Sequence, residues 1–69
     1  MTKIKINLNG KVTEINDQSS IEDLIAHLGF DVKKIAIEKN LEIIFPEIYK
    51  NEIINNGDEI EIIHFIGGG

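Results

Sequence analysis

Sixty-nine residues allow one domain with one modest core, and the absence of cysteine removes disulfides, thiolate nucleophiles and thiolate metal sites. Seven lysines against twelve Asp and Glu give a formal charge of −5, and there is no arginine; this argues against nucleic-acid or anionic-membrane binding and for a basic partner surface. Sixteen isoleucines supply the core, and no apolar run reaches the length of a signal-peptide core or a membrane span, so the expected compartment is the cytoplasm.

Lys3 to Leu8 alternates polar and apolar residues, the period of a strand with one buried face. Asn9-Gly10 tolerates the positive φ angles of a type I′ turn and predicts a two-residue hairpin into Lys11–Ile15. That register sets Ile4 opposite Ile15 and Lys5 opposite Glu14. It leaves Val12 on the outer face, which keeps open a bulged turn with a shifted register. Ser19 with Glu22 three residues later reads as a capping box, and Ile21, Leu24, Ile25 and Leu28 then form one apolar helical stripe. The helix expected over 20–28 ends at Gly29, and Phe30 can fold back onto its last turn.

Lys34 to Glu38 alternates again and predicts a third strand, Lys39-Asn40 a turn, and Leu41 to Phe45 a fourth strand ended by Pro46. The stretch 47–56 has no clear period. Ile48, Tyr49, Ile53 and Ile54 are expected to pin it as a compact connection with a helical turn over one end of the core. Asn56-Gly57-Asp58 turns the chain into a last strand over 59–66, apolar enough to suggest a central position with both faces at least partly covered. The expected core contains Ile4, Ile6, Leu24, Leu28, Ile35, Ile37, Ile60 and Ile62.

Candidate chemistry is sparse until the last residues. His27 and His64 lack the spacing of a metal pair, and the carboxylates are scattered without an apolar setting for acid and base work. Ser19 and Ser20 read as helix caps, and no glycine loop is present to cradle a phosphate. His27 reads as a surface helix residue, and His64 as a packing or interface residue. The strand ending Phe65-Ile66 runs straight into Gly67-Gly68-Gly69. Glycine has no side chain to pack and loses the most freedom on ordering, so this tail is expected to be mobile and to gain order only inside a partner. Three glycines are also the thinnest thread a chain offers. The Gly69 carboxylate is therefore the expected reactive group, with 1–66 as the domain and 67–69 as the tail. The competing reading is an inert frayed end.

The order hairpin, helix, strands, central final strand and glycine tail resembles the β-grasp of the ubiquitin-like superfamily, an α+β fold with one helix packed across a mixed sheet. The closing run from Asn56-Gly57-Asp58 through His64-Phe65-Ile66 to Gly67-Gly68-Gly69 resembles the ThiS family of thiamine-biosynthesis sulfur carriers, and the resemblance covers essentially the whole chain. Asn40-Leu41-Glu42 departs from the Asn-Gly turn that often precedes the fourth strand in that family. The resemblance implies that the last strand pairs in parallel with the first. It implies no enzyme activity and no bound cofactor. A ThiF-like adenylating enzyme would use ATP to join the Gly69 carboxylate to AMP, and a sulfur donor protein would displace AMP to leave a thiocarboxylate. Thiazole synthase would accept the sulfur. Gly67 and Gly68 would thread partner channels, His64, Phe65 and Ile66 would contact partners, and the free protein would be a monomer. Two related readings remain: the small subunit of molybdopterin synthase, and a protein modifier joined to lysine through Gly69.

Overall fold

The computed structural model describes residues 2–65; Ile66 and Gly67–Gly69 lie outside the described residues, and with them the expected mobility of the tail. Strands β1 (Lys3–Leu8) and β2 (Lys11–Asn16) form the predicted hairpin, with Ile4 opposite Ile15 and Lys5 opposite Glu14. The turn needs no bulge. Asn9 and Gly10 have φ of 51° and 80°, the two positive values of a type I′ turn, so Val12 stays on the outer face, 68% exposed.

Helix α1 (Ile21–Leu28) starts one residue later than the capping reading placed it. Ser20, not Ser19, is the N-cap: its Oγ accepts from Asp23 N–H at 3.0 Å, and the Asp23 carboxylate accepts from Ser20 N–H at 3.0 Å. Asp23 reaches back as Glu22 was expected to, because the cap sits one residue further on. The Ser19 hydroxyl instead donates to Asn16 C=O at 2.6 Å, closing the link from the hairpin. At the other end Gly29 takes φ 76°, and the N–H groups of Gly29 and Phe30 both donate to Ile25 C=O. These bonds satisfy carbonyls that the helix terminus would leave unpaired.

A 3₁₀ turn at Val32–Lys34 leads into β3 (Ile35–Lys39), which pairs antiparallel with β4 (Glu42–Ile44). The turn between them is Asn40-Leu41, one residue beyond the predicted pair, with φ of 52° and 71°. It therefore has the geometry of an Asn-Gly turn with leucine at the glycine position. A second 3₁₀ turn, Pro46–Ile48, opens the segment that the sequence left without a period. That segment is laced to the start of α1. Ile21 N–H donates to Glu52 C=O, Glu22 N–H to Tyr49 C=O, and Ile54 N–H to Ser19 C=O, at 2.8–3.1 Å. Tyr49 and Ile54 are buried as expected, whereas Ile48 and Ile53 are about 40% exposed and do not pin it. Side chains beside a backbone-bonded segment need not all point inward.

Strand β5 (Glu59–His64) completes a five-stranded sheet in the order β2-β1-β5-β3-β4. It pairs in parallel with β1 and antiparallel with β3. The parallel ladder is short and is extended by Asn9, whose side-chain oxygen accepts from Ile62 N–H at 2.7 Å. The central position is as predicted, but only one face of β5 is covered: Glu59, Glu61 and Ile63 point away from the helix and are exposed. Ile21, Leu24 and Ile25 of α1 pack on Ile4, Ile6, Ile37, Ile60 and Ile62 of the sheet in one buried cluster. Leu28, expected in the core, is only partly buried at its edge. No described helix is long and apolar enough to cross a membrane.

Candidate functional site

Strand β5 carries the chain from the core to the residues before the tail. His64 faces Ile35 across the ladder, and Phe65 N–H donates to Lys34 C=O at 2.9 Å, so the backbone is held in the sheet up to Phe65. Alternation then puts two of the three predicted contact residues, His64 and Phe65, on opposite faces. The His64 ring lies on the helix side and meets Phe30 edge to face, with centroids 4.5 Å apart and planes at 87°. Phe65 is 58% exposed on the other side.

That other side carries an apolar area absent from the sequence reading. Ile63 pairs with Ala36, and Ile43 pairs with Glu38. Phe45, extended at φ −83° and ψ 147°, continues the alternation of Ile43 toward the same end of the sheet. Ile43 and Phe45 are 61% and 63% exposed. The available signal was the parity of Ile43-Ile44-Phe45: once Ile44 is assigned to the core, its neighbours must face out. Further along the same face Glu38 pairs with Glu61, and these two with Glu59 and Leu41 edge an open recess of about 280 Å³. The face is thus apolar near Phe65 and acidic further from it.

The groove between α1 and β2 collects Ser19, Asp23 and His27. It does not form a nucleophile with its base. The Ser19 hydroxyl is committed to Asn16 C=O, and Asp23 to the helix cap. His27 lies exposed on α1, as the surface reading of it predicted. Among the described residues, no group of three His, Asp or Glu side chains is placed to hold a metal ion.

A partly buried polar cluster lies at the start of β5, around Asp58. The Asp58 carboxylate accepts from Asn55 N–H at 2.8 Å and from the Asn40 amide at 3.0 Å, and lies 3.7 Å from the Lys39 ammonium. Burial pushes its pKa up, but these donors outweigh burial and hold it below the usual value of 3.8. Lys39 is held above its usual 10.5, first by its 3.0 Å bond to Glu52 and then by Asp58, against the opposing effect of burial. Asn40 also accepts from Glu59 N–H at 2.9 Å through its side chain. The cluster fixes the β3–β4 turn to the start of β5 and makes no chemistry of its own.

Residues 6–69 match the model of the ThiS family. Over 65 residues, 93% of this chain and 98% of the relative, the sequence is 42% identical to the sulfur carrier protein ThiS of Bacillus subtilis. It is also 39% and 36% identical, over 66 residues each, to the thiazole synthases of Paramagnetospirillum magneticum and Magnetococcus marinus. It spans a fifth of the length of those two proteins. The crystal structure of thiamine biosynthesis protein ThiS from Geobacter metallireducens has the same fold, with a TM-score of 0.83 at 23% identity over 96% of this chain and all of that one. With a β-grasp sheet and helix matched in full, and with family and relative agreeing over nearly every residue, the chain belongs to the ThiS family.

Proposed function

We propose that this chain is a sulfur carrier for thiamine thiazole synthesis, with the Gly69 carboxylate as the group that carries the sulfur. The observation that carries the reading is the delivery geometry: a central strand bonded up to Phe65, beside an exposed apolar face, followed in sequence by Ile66-Gly67-Gly68-Gly69. Four residues reach at most about 14 Å, so an enzyme that docks on the domain has the terminus within a bounded distance.

A carboxylate is a poor electrophile. In the proposed sequence a Gly69 oxygen attacks the α-phosphate of ATP on a ThiF-like adenylating enzyme, pyrophosphate leaves, and an acyl adenylate forms. Sulfur supplied by a donor protein at the oxidation level of sulfide then attacks the acyl carbon. AMP departs with its bonding electron pair and the former carboxylate oxygen. The resulting thiocarboxylate sulfur is a strong nucleophile, which thiazole synthase consumes. The chain itself binds no cofactor in this scheme, since ATP sits on the partner, and it works as a free cytoplasmic monomer between partners. Gly67 and Gly68 thread the partner channels because a Cβ there would widen the thread.

The thiazole synthase relatives support that choice of acceptor: each contains a segment similar to this chain, which puts such a segment and its synthase at high effective concentration. Phe65 and Ile66, together with Ile43, Phe45 and Ile63, would meet the partners, and His64 would act from the opposite side of the strand. Pyrophosphate exchange into ATP tests the first step. With the adenylating enzyme present, exchange is expected to depend on this protein and to vanish when Gly69 is removed; exchange that persists without Gly69 overturns the assignment. Sulfur delivered to molybdopterin synthase but not to thiazole synthase would shift the acceptor.

A further inference from the structure

Phe30 follows the Gly29 cap and belongs neither to the buried cluster nor to the hydrophobics packed against it. At 37% exposure it stands at the edge of the fold, just beyond the helix end. Its ring sits edge to face on His64, the last residue of β5, with a centroid separation of 4.5 Å. One residue further, Phe65 N–H makes its bond to Lys34 C=O, and Lys34 ends the 3₁₀ turn that begins two residues after Phe30. The segment leaving α1 therefore holds the final strand twice, by a side chain on one residue and by the backbone on the next.

We propose that Phe30 is a positioning residue for the reactive terminus: its contact with His64 holds the end of β5 in place as far as Phe65, the residue from which the chain continues to 66–69. This rests on the carrier reading. If the contact is lost, His64 and Phe65 gain freedom, and each residue that a partner must then order weakens productive binding. The chemistry at the carboxylate, once seated, is unchanged. The signature is therefore a raised KM for the carrier in adenylation, with kcat unaltered. The size expected is about two- to tenfold, the range spanned by one aromatic pair.

The test compares wild type, Phe30→Ala, His64→Ala, the double variant and the conservative Phe30→Tyr. In the free proteins, ¹⁵N relaxation at Phe65 is expected to show lower order in Phe30→Ala and wild-type order in Phe30→Tyr. In adenylation with ATP and the partner enzyme, each alanine variant is expected to raise KM, the double variant to lose no more than His64→Ala alone, and Phe30→Tyr to restore the wild-type value. Three outcomes overturn the proposal. Unchanged order at Phe65 with unchanged KM removes the contact's role, and additive losses in the double variant make Phe30 a direct partner contact. A large fall in melting temperature for Phe30→Ala makes it a core residue. Failure of the wild type itself to be adenylated sinks the carrier reading instead, and leaves the relaxation result to judge the contact alone.

Discussion

Asp58 joins three segments through one carboxylate: the loop at Asn55, the turn at Asn40 and the strand at Lys39. Replacing it by alanine leaves Asn55 N–H and the Asn40 amide without their acceptor and Lys39 with one partner fewer. The pair keeps some contact with water, so the expected cost in chemical denaturation is about 2–3 kcal/mol, below that of a fully buried pair. The pH dependence has a fixed sign. A lowered Asp58 pKa gives stability that is complete above the usual 3.8 and is lost as pH falls through the lower folded value. A raised Lys39 pKa gives stability complete below 10.5 and lost as pH rises through the folded value. The gap between wild type and Asp58→Asn should thus be constant between about pH 5 and pH 9 and close in acid; a gap that widens below about pH 4 contradicts the assignment. Leu41 is the opposite case, a residue at odds with its backbone. At φ 71° and 84% exposure it carries left-handed strain without compensating burial, so Leu41→Gly should stabilise by about 0.5–1 kcal/mol, read as a rise in melting temperature.

At the level of elements, alternation and turn chemistry make the hairpin, the helix, β3 and the central β5 legible in the sequence. Asn9-Gly10 pointed to a two-residue turn whose register, left open to a bulged shift in the sequence, the structure gives with Ile4 opposite Ile15 and Lys5 opposite Glu14. What could not be read depends on long-range partners. Residues 47–56 have no period because backbone bonds to the start of α1 hold them, with Ile53 bridging Ser20. Phe30 could be placed after the helix stop but not on His64, a residue 34 positions away in sequence and adjacent only through the fold. The apolar face was likewise split between β4, β5 and the residues after each. That face makes its own prediction. Phe45→Asp or Ile63→Asp adds a charge on an exposed surface and should leave the melting temperature almost unchanged, yet raise the KM for adenylation by about tenfold or more if the face docks partners. A wild-type KM in both variants would place the contact elsewhere.

For the whole molecule, core and terminus should fail independently. The buried cluster is built from described residues before the tail, so Gly68→Val and removal of Gly69 are each expected to change stability by less than about 0.5 kcal/mol. Function should still be lost. Valine widens the thread, and losing one residue retracts the carboxylate by about 3.3–3.6 Å, enough to misplace a reacting atom. Unfolding of either variant would make the tail a structural part of the domain. The most direct measurement is intact mass with fragmentation of the C-terminal peptide, after incubating the full-length protein with ATP, its adenylating enzyme and a sulfur source. Replacement of one oxygen by sulfur on Gly69, absent when ATP is omitted, is the predicted result; an adduct joining Gly69 to a lysine, or an unchanged terminus under conditions where the enzyme is active, would contradict it.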